Sequence, residues 1–281
     1  MEPAAPADMK SSAQPLPNAS GLLDGMPRQR VRCGSAAGEA APSATPVPIS
    51  RPRNLRVPRV WRLLPTPTGT PFTFGFAAVL ALTSLLVADA APSLVHALHQ
   101  GSSTDVAHLV RTPILVLLTS ALWIAGGIAT PYAVLFLLVL TALERRIGGA
   151  RTAVVFLLGH VLATLATEVP VGVAVLVGHL PDSSLHRMDY GISFGVAACV
   201  GALAGLITPW VRWPLLVLFG GMLIEDLVAF TDPLTNWGHV FSLAIGVATW
   251  PMVRRWQAAV GSERSTGLPR PVAGRLPARR G

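Results

Sequence analysis

Apolar residues along the 281-residue chain gather into long runs parted by short polar joints. The first begins at Pro71 and continues to Ala90, with Asp89 as its one charge; further runs cover 113–148, 152–174, 190–208, 213–230 and 238–253. A helix crossing the ~30 Å hydrocarbon core of a bilayer needs about 20 mostly apolar residues. The runs therefore predict spanning helices at 72–90, 152–174, 190–208, 213–230 and 238–253. The stretch 113–148 is too long for one helix and contains Gly126, Gly127 and Pro131. It divides into a short, shallow segment at 113–128 and a span at 131–147. The expected fold is all-α: a six-helix membrane bundle over 67–256, between tails at 1–66 and 257–281.

Composition agrees with the pattern. Hydrophobic residues make up 51% and charged residues only 13%, against about a quarter charged in a soluble domain. The net charge of +8 raises the question of nucleic acid, but its placement answers otherwise. The basic residues sit in the tails and in two short joints and form no basic stripe on a folded face, so no nucleic-acid partner is expected. With the N-terminus in the cytoplasm and six alternating spans, every Lys and Arg falls inside except Arg111 and Arg187. Counting 113–128 as a full span would move Arg145, Arg146 and Arg151 outside and destroy that bias. The positive-inside rule thus selects six spans with both termini cytoplasmic, in the plasma membrane.

The tails are rich in Pro, Ala, Ser and Arg. They hold too little apolar surface to offset chain entropy and are expected to be disordered. The Arg cluster ahead of the first span is suited to anionic headgroups. No secretory leader is expected, because apolar sequence begins only near Pro71. Cys33 and Cys199 fall in different environments and are expected to be inert thiols rather than a disulfide.

Polar residues inside a membrane are costly and tend to mark function. The fourth span opens Asp189-Tyr190-Gly191-Ile192-Ser193-Phe194-Gly195, and the sixth opens Asn236-Trp237-Gly238-His239. Both run from outside to inside, which sets Ser193 and His239 at similar depth. Gly191, Gly195, Gly201 and Gly205 on one helix and Gly238, Ser242 and Gly246 on the other supply small faces for close packing. A neutral imidazole can take the proton of a serine hydroxyl, the minimum arrangement for acyl transfer. The structural alternative is a serine bonded to a helix carbonyl and a histidine satisfied between helices.

These residues resemble the rhomboid family of intramembrane serine proteases. Gly191-Ile192-Ser193 looks like the start of its Gly-x-Ser-Gly motif, and Gly201 falls at its packing glycine. Asn236, His239 and Gly246 are similar to its last-helix pattern, and Glu144 to Gly148 to the Glu-x-x-x-Gly closing its second helix. The shallow segment 113–128 sits where the family has a membrane-embedded loop. The resemblance spans roughly 70–255 and implies a six-helix fold in which Ser193 is the nucleophile and His239 the base. There are departures. The His-x-x-x-Asn pair that helps hold the oxyanion would fall near Ile128 and Tyr132, which do not match. Phe194 replaces the glycine after the nucleophile, and Ala197 stands where an aromatic ring stacks on the histidine. The pattern also resembles a divergent bacterial branch of rhomboid-like proteins for which proteolysis does not follow from fold.

Two functions therefore stay open: an intramembrane serine endopeptidase, or a catalytically inactive relative that binds transmembrane helices of partner proteins. A small-solute transporter fits least, with no inverted repeat and His160 as the one polar midplane group. His160 is a possible partner for Ser193, with a neighbouring helix carbonyl as the ordinary alternative. Glu168, Glu225 and Asp226 are candidates to orient His239, with exposure to interfacial water as the alternative. His96, His99 and His108 lie in the outer loop, where the His96-x-x-His99 pair is too loose for a metal site without a nearby third ligand. Neither a cofactor nor a metal is expected; the expected surroundings are the lipid bilayer and transmembrane segments of other proteins.

Overall fold

The computed structural model describes residues 64–266, with side chains as far as Ser262. The expected N-terminal tail up to residue 63, and the chain beyond 266, lie outside the described residues. No strand occurs among those described. In chain order the helices are α1 (Pro71–Asp89), α2 (Pro92–Gly101), α3 (Val106–Arg111), α4 (Pro113–Thr119), α5 (Pro131–Leu135), α6 (Thr141–Ile147) and α7 (Gly149–Leu176). They are followed by α8 (Ser193–Ala204), α9 (Pro209–Ala229), α10 (Pro233–Ala248) and α11 (Trp250–Thr266). Six of these begin on proline, whose missing N–H and fixed φ suit the first helical position.

α5 and α6 are joined without a break by a π-helical turn, Phe136–Leu140, so the predicted span 131–147 is one rod. The shallow segment is helical only in its first part: α4 passes into a 3-10 turn, Ser120–Leu122, and then into irregular chain through Gly127. By length and composition two helices, α1 and α7, are able to cross a membrane. The predicted fourth span, 190–208, contracts to the 12 residues of α8. Gly191 has φ 128°, a region L side chains rarely adopt, and its N–H is drawn to Ser120 O. The chain therefore enters α8 as a fixed loop rather than as helix. The predicted sixth span, 238–253, is divided at Thr249 between α10 and α11, and α11 carries helix past the expected boundary at 256.

α8 is the centre of the bundle: every residue after Ser193 is buried. Its small side chains let α7 and α10 close on it. A Cβ on Gly246 would come within 2.1 Å of Ala198 O, one on Gly201 within 2.5 Å of Leu243 O, and one on Gly159 within 2.0 Å of the Ala198 Cβ. Membrane helices gain stability from such backbone approach, since lipid offers no hydrophobic drive between them. The periphery is different. α9 buries only Phe219 and Leu223 and leaves Val217, Leu218 and Val228 exposed.

Side-chain bonds tie the helix ends. Glu144, 4% exposed, caps α1: its carboxylate accepts from Phe72 N–H (3.0 Å), Thr73 N–H (2.7 Å) and the Thr73 hydroxyl (2.6 Å). Arg212 donates to Ala204 O and Ile207 O, and Arg254 to Gly205 O, at the C-terminal end of α8. Trp250 lies between the two guanidinium groups, 5.0 and 5.2 Å from its ring, and donates to Gly201 O. Cations at a helix C-terminus meet the negative end of its dipole.

Candidate active site

The loop before α8 fixes where that helix begins. Gly191 N–H donates to Ser120 O (2.9 Å) and Ile192 N–H to Trp123 O (3.2 Å). Ser193 is therefore the first residue of α8, not three residues into a helix that starts at 190. It is half-buried, while Phe194 and Gly195 are covered. The first intrahelical bond of α8 runs from Val196 N–H to Ile192 O. The amides of Ser193, Phe194 and Gly195 precede it and belong to the unpaired end of the helix.

His239 is the seventh residue of α10, deeper than the opening position expected of it, because the helix starts at Pro233. It is 7% exposed, and neither Nδ1 nor Nε2 has a hydrogen-bond partner, so no hydrogen bond joins it to Ser193. Rings hold the imidazole instead. Tyr132 stacks on it, centroids 5.1 Å apart and planes 20° from parallel, and Phe194 meets it edge-on at 5.2 Å. Ala197 does leave its side free, but Tyr132, from a different helix, supplies the ring. One turn on, the Ser242 hydroxyl donates to the carbonyl of Phe194, the residue after Ser193. Gly238 packs against the Phe194 ring. α10 is thereby locked to the first turn of α8 at the level of both candidate residues.

The neighbouring polar groups have other partners than expected. His160, 2% exposed, has Ser120 as its partner, Nε2 to Oγ 3.0 Å, and not Ser193. It pins the end of the shallow segment against α7. Glu168 is buried at 1% rather than exposed to interfacial water. It pairs with Arg187, whose guanidinium also donates to Thr235 Oγ1 (3.0 Å) and lies 3.7 Å from Asp189 and 3.5 Å from Asp232. Burial works against the Arg187 cation, yet Asp189 and Glu168 hold its pKa above the ordinary value. Burial pushes the Asp189 carboxyl up, against the pull of Arg187 and the Thr104 hydroxyl. Asp189 is further tied to Thr104 and Ser103 through main-chain bonds. This cluster joins α7, the loop before α8 and the start of α10. The sequence offered Arg187 only as a stray outer charge.

Glu225 and Asp226 are exposed, and neither carboxylate reaches His239. The Asp226 carbonyl instead accepts from Asn236 Nδ2 (2.8 Å), which fixes α9 to α10. Ile128 is 66% exposed and offers no polar group. Cys199 is a buried free thiol. No group of three or more His, Cys, Asp or Glu able to hold a metal occurs among the described residues. Ser193 and His239 line none of the three best-formed cavities among the described residues.

The family model for rhomboid-like proteins matches residues 68–259. The chain belongs to the rhomboid-like protein family. No curated protein and no solved structure matches it. The matched region begins just before α1 and ends within α11, so it takes in both α8 and α10. Membership of the rhomboid-like family makes this a membrane protein and accounts for the apolar helices.

Proposed function

We propose that this rhomboid-like protein is a six-span protein of the plasma membrane, with both termini cytoplasmic, and a serine-type endopeptidase acting on transmembrane segments. The distribution of Lys and Arg supports the orientation. One observation carries the activity: an imidazole buried beside the first turn of α8 with both nitrogens unpartnered. A buried polar group left without a bond asks for an explanation, and catalysis is one that fits its neighbours. Resting catalytic hydrogen bonds are often loose and tighten when substrate arrives.

In this reading His239 accepts the Ser193 Oγ proton as the oxygen attacks the scissile carbonyl. It returns that proton to the leaving amine as the peptide bond breaks. Water, deprotonated by His239, then releases the acyl group and restores the serine. The amides at the start of α8 face the developing oxyanion. With no side-chain pair at Ile128 and Tyr132 to add to them, turnover is slow, since one lost oxyanion donor costs about 10²–10³ in rate.

A second reading rests on a different observation. Tyr132 lies flat on the imidazole, which suits a packed histidine in a non-proteolytic binder of transmembrane helices. A fluorophosphonate probe separates the two, applied to the full chain in liposomes beside Ser193→Ala and His239→Ala. Labelling of the wild type that is lost in both variants is the expected result. A folded wild type that takes no label, where an active rhomboid does, would establish the second reading.

A further inference from the structure

A cavity of about 630 Å³ lies at the Asp89 end of α1, apart from Ser193 and His239. Ala81, Leu85 and Ala88 of α1 form one wall, and Ile124, Gly127 and Ile128 another. Three rings meet in the remainder. His99 stacks on Tyr190 at 4.3 Å and meets Trp123 edge-on at 4.9 Å. Trp123 is only 9% exposed, and its Nε1 has no hydrogen-bond partner. An indole is a donor only, so this N–H carries a desolvation cost that an incoming acceptor would relieve. Of the other side-chain donors that line it, the Thr83 hydroxyl is occupied by Leu122 O at 2.8 Å, and Ser84, His99 and Tyr190 are only half-buried.

The cavity selects its occupant by charge and width. No Asp, Glu, Lys or Arg lines it. Burial and the adjacent His96 hold His99 below its ordinary pKa, so its imidazole is neutral at pH 7. The wall thus lacks the cation that would hold a phosphate and offers an N–H suited to a neutral acceptor. An extended hydrocarbon chain, much narrower than an α-helix ~10–12 Å across, fits between the two walls, whose Leu85 and Ile128 are exposed on the open side. Trp123 lies beside Thr83, six residues or about 9 Å short of the Asp89 end of α1, in the outer leaflet of the proposed topology.

We propose that this cavity holds one acyl chain of a bilayer glycerolipid, whose ester carbonyl accepts the Trp123 indole N–H. The bound chain borders the segment that orients α8, since Trp123 O takes the Ile192 N–H. The test uses the full chain in phosphatidylcholine–phosphatidylglycerol vesicles, with a diazirine in one acyl chain of a tracer lipid. After irradiation, adducts are mapped by mass spectrometry. Adducts at 81–88 and 123–128 should exceed those on the exposed α9 face at Val217 and Leu218 by about fivefold or more. Ala88→Phe, which fills the cavity, should reduce the excess to the α9 level. Trp123→Phe, which keeps a ring but removes the donor, should lower it about fivefold. Equal labelling of the cavity and the α9 face in the wild type would overturn the proposal. So would an excess that survives Trp123→Phe; that variant decides the matter if Ala88→Phe fails to fold.

Discussion

Single atoms decide how closely the central helices approach. Gly246 lies against the Ala198 carbonyl at a distance no Cβ can share. Gly246→Ala should therefore force α10 away from α8 and cost about 1–3 kcal/mol, the usual range for overpacking a core. Gly221, with nothing within 4 Å of its added Cβ, is the control. Thermal unfolding in detergent should separate the two, and equal midpoints would show that the interface has slack. His99 gives a residue-scale test in pH. Its pKa lies below the ordinary 6.5 because of burial first and His96 second. The unfolded chain thus binds a proton near 6.5 while the folded one resists it, so the contribution is present above that pH and lost as pH falls through the folded value. The unfolding midpoint should drop between pH 7 and pH 5, and His99→Phe should reduce the drop.

At the scale of elements, two carboxylates act as fasteners between segments far apart in sequence. Glu144 reaches back to the first amides of α1, and Glu168 holds Arg187 where the loop before α8 meets α10. Removing one partner of a buried ion pair leaves the other uncompensated, a loss of about 3–5 kcal/mol. Arg187→Met should accordingly destabilise the protein far more than the double change Arg187→Met with Glu168→Leu. A double-mutant cycle on thermal unfolding checks this, and simple additivity would count against a shared cluster. The helices themselves were largely legible in the sequence, because apolar runs fix where they lie. Their ends were misread where a better signal was available: Pro209 and Pro233 mark the starts of α9 and α10, four and five residues before hydropathy alone set them. The delayed start of α8 was less accessible. It depends on main-chain bonds from Gly191 and Ile192 to residues some 70 positions earlier, and no local pattern records those.

For the whole molecule, the sequence set Ser193 and His239 on neighbouring helices but did not supply the detail between them. That α8 and α10 pack face to face follows from their small residues. That Tyr132 and Phe194 clamp the imidazole depends on how a third helix leans in, which spacing along one chain does not encode. The remaining global property, the direction in which the bundle sits, rests on the charge bias alone, and it can be tested independently of any activity. Cys33 reports on the N-terminal tail, and Cys199 is buried and silent. Gly261→Cys and Ser183→Cys, each at an exposed position and each combined with Cys33→Ser, report on the far side of α11 and on the loop before α8. In intact cells a membrane-impermeant maleimide should modify the position-183 variant and spare Cys33 and the position-261 variant, with all three reacting once the membrane is opened. If the position-183 and position-261 variants both react in intact cells while Cys33 is spared, the chain crosses an even number of times between 183 and 261 and an odd number of crossings separates the termini. If the position-183 variant is spared instead, the cluster at Arg145, Arg146 and Arg151 is not the anchor that sets the topology. Ser193 would lose its place on the outward side, where water could reach it.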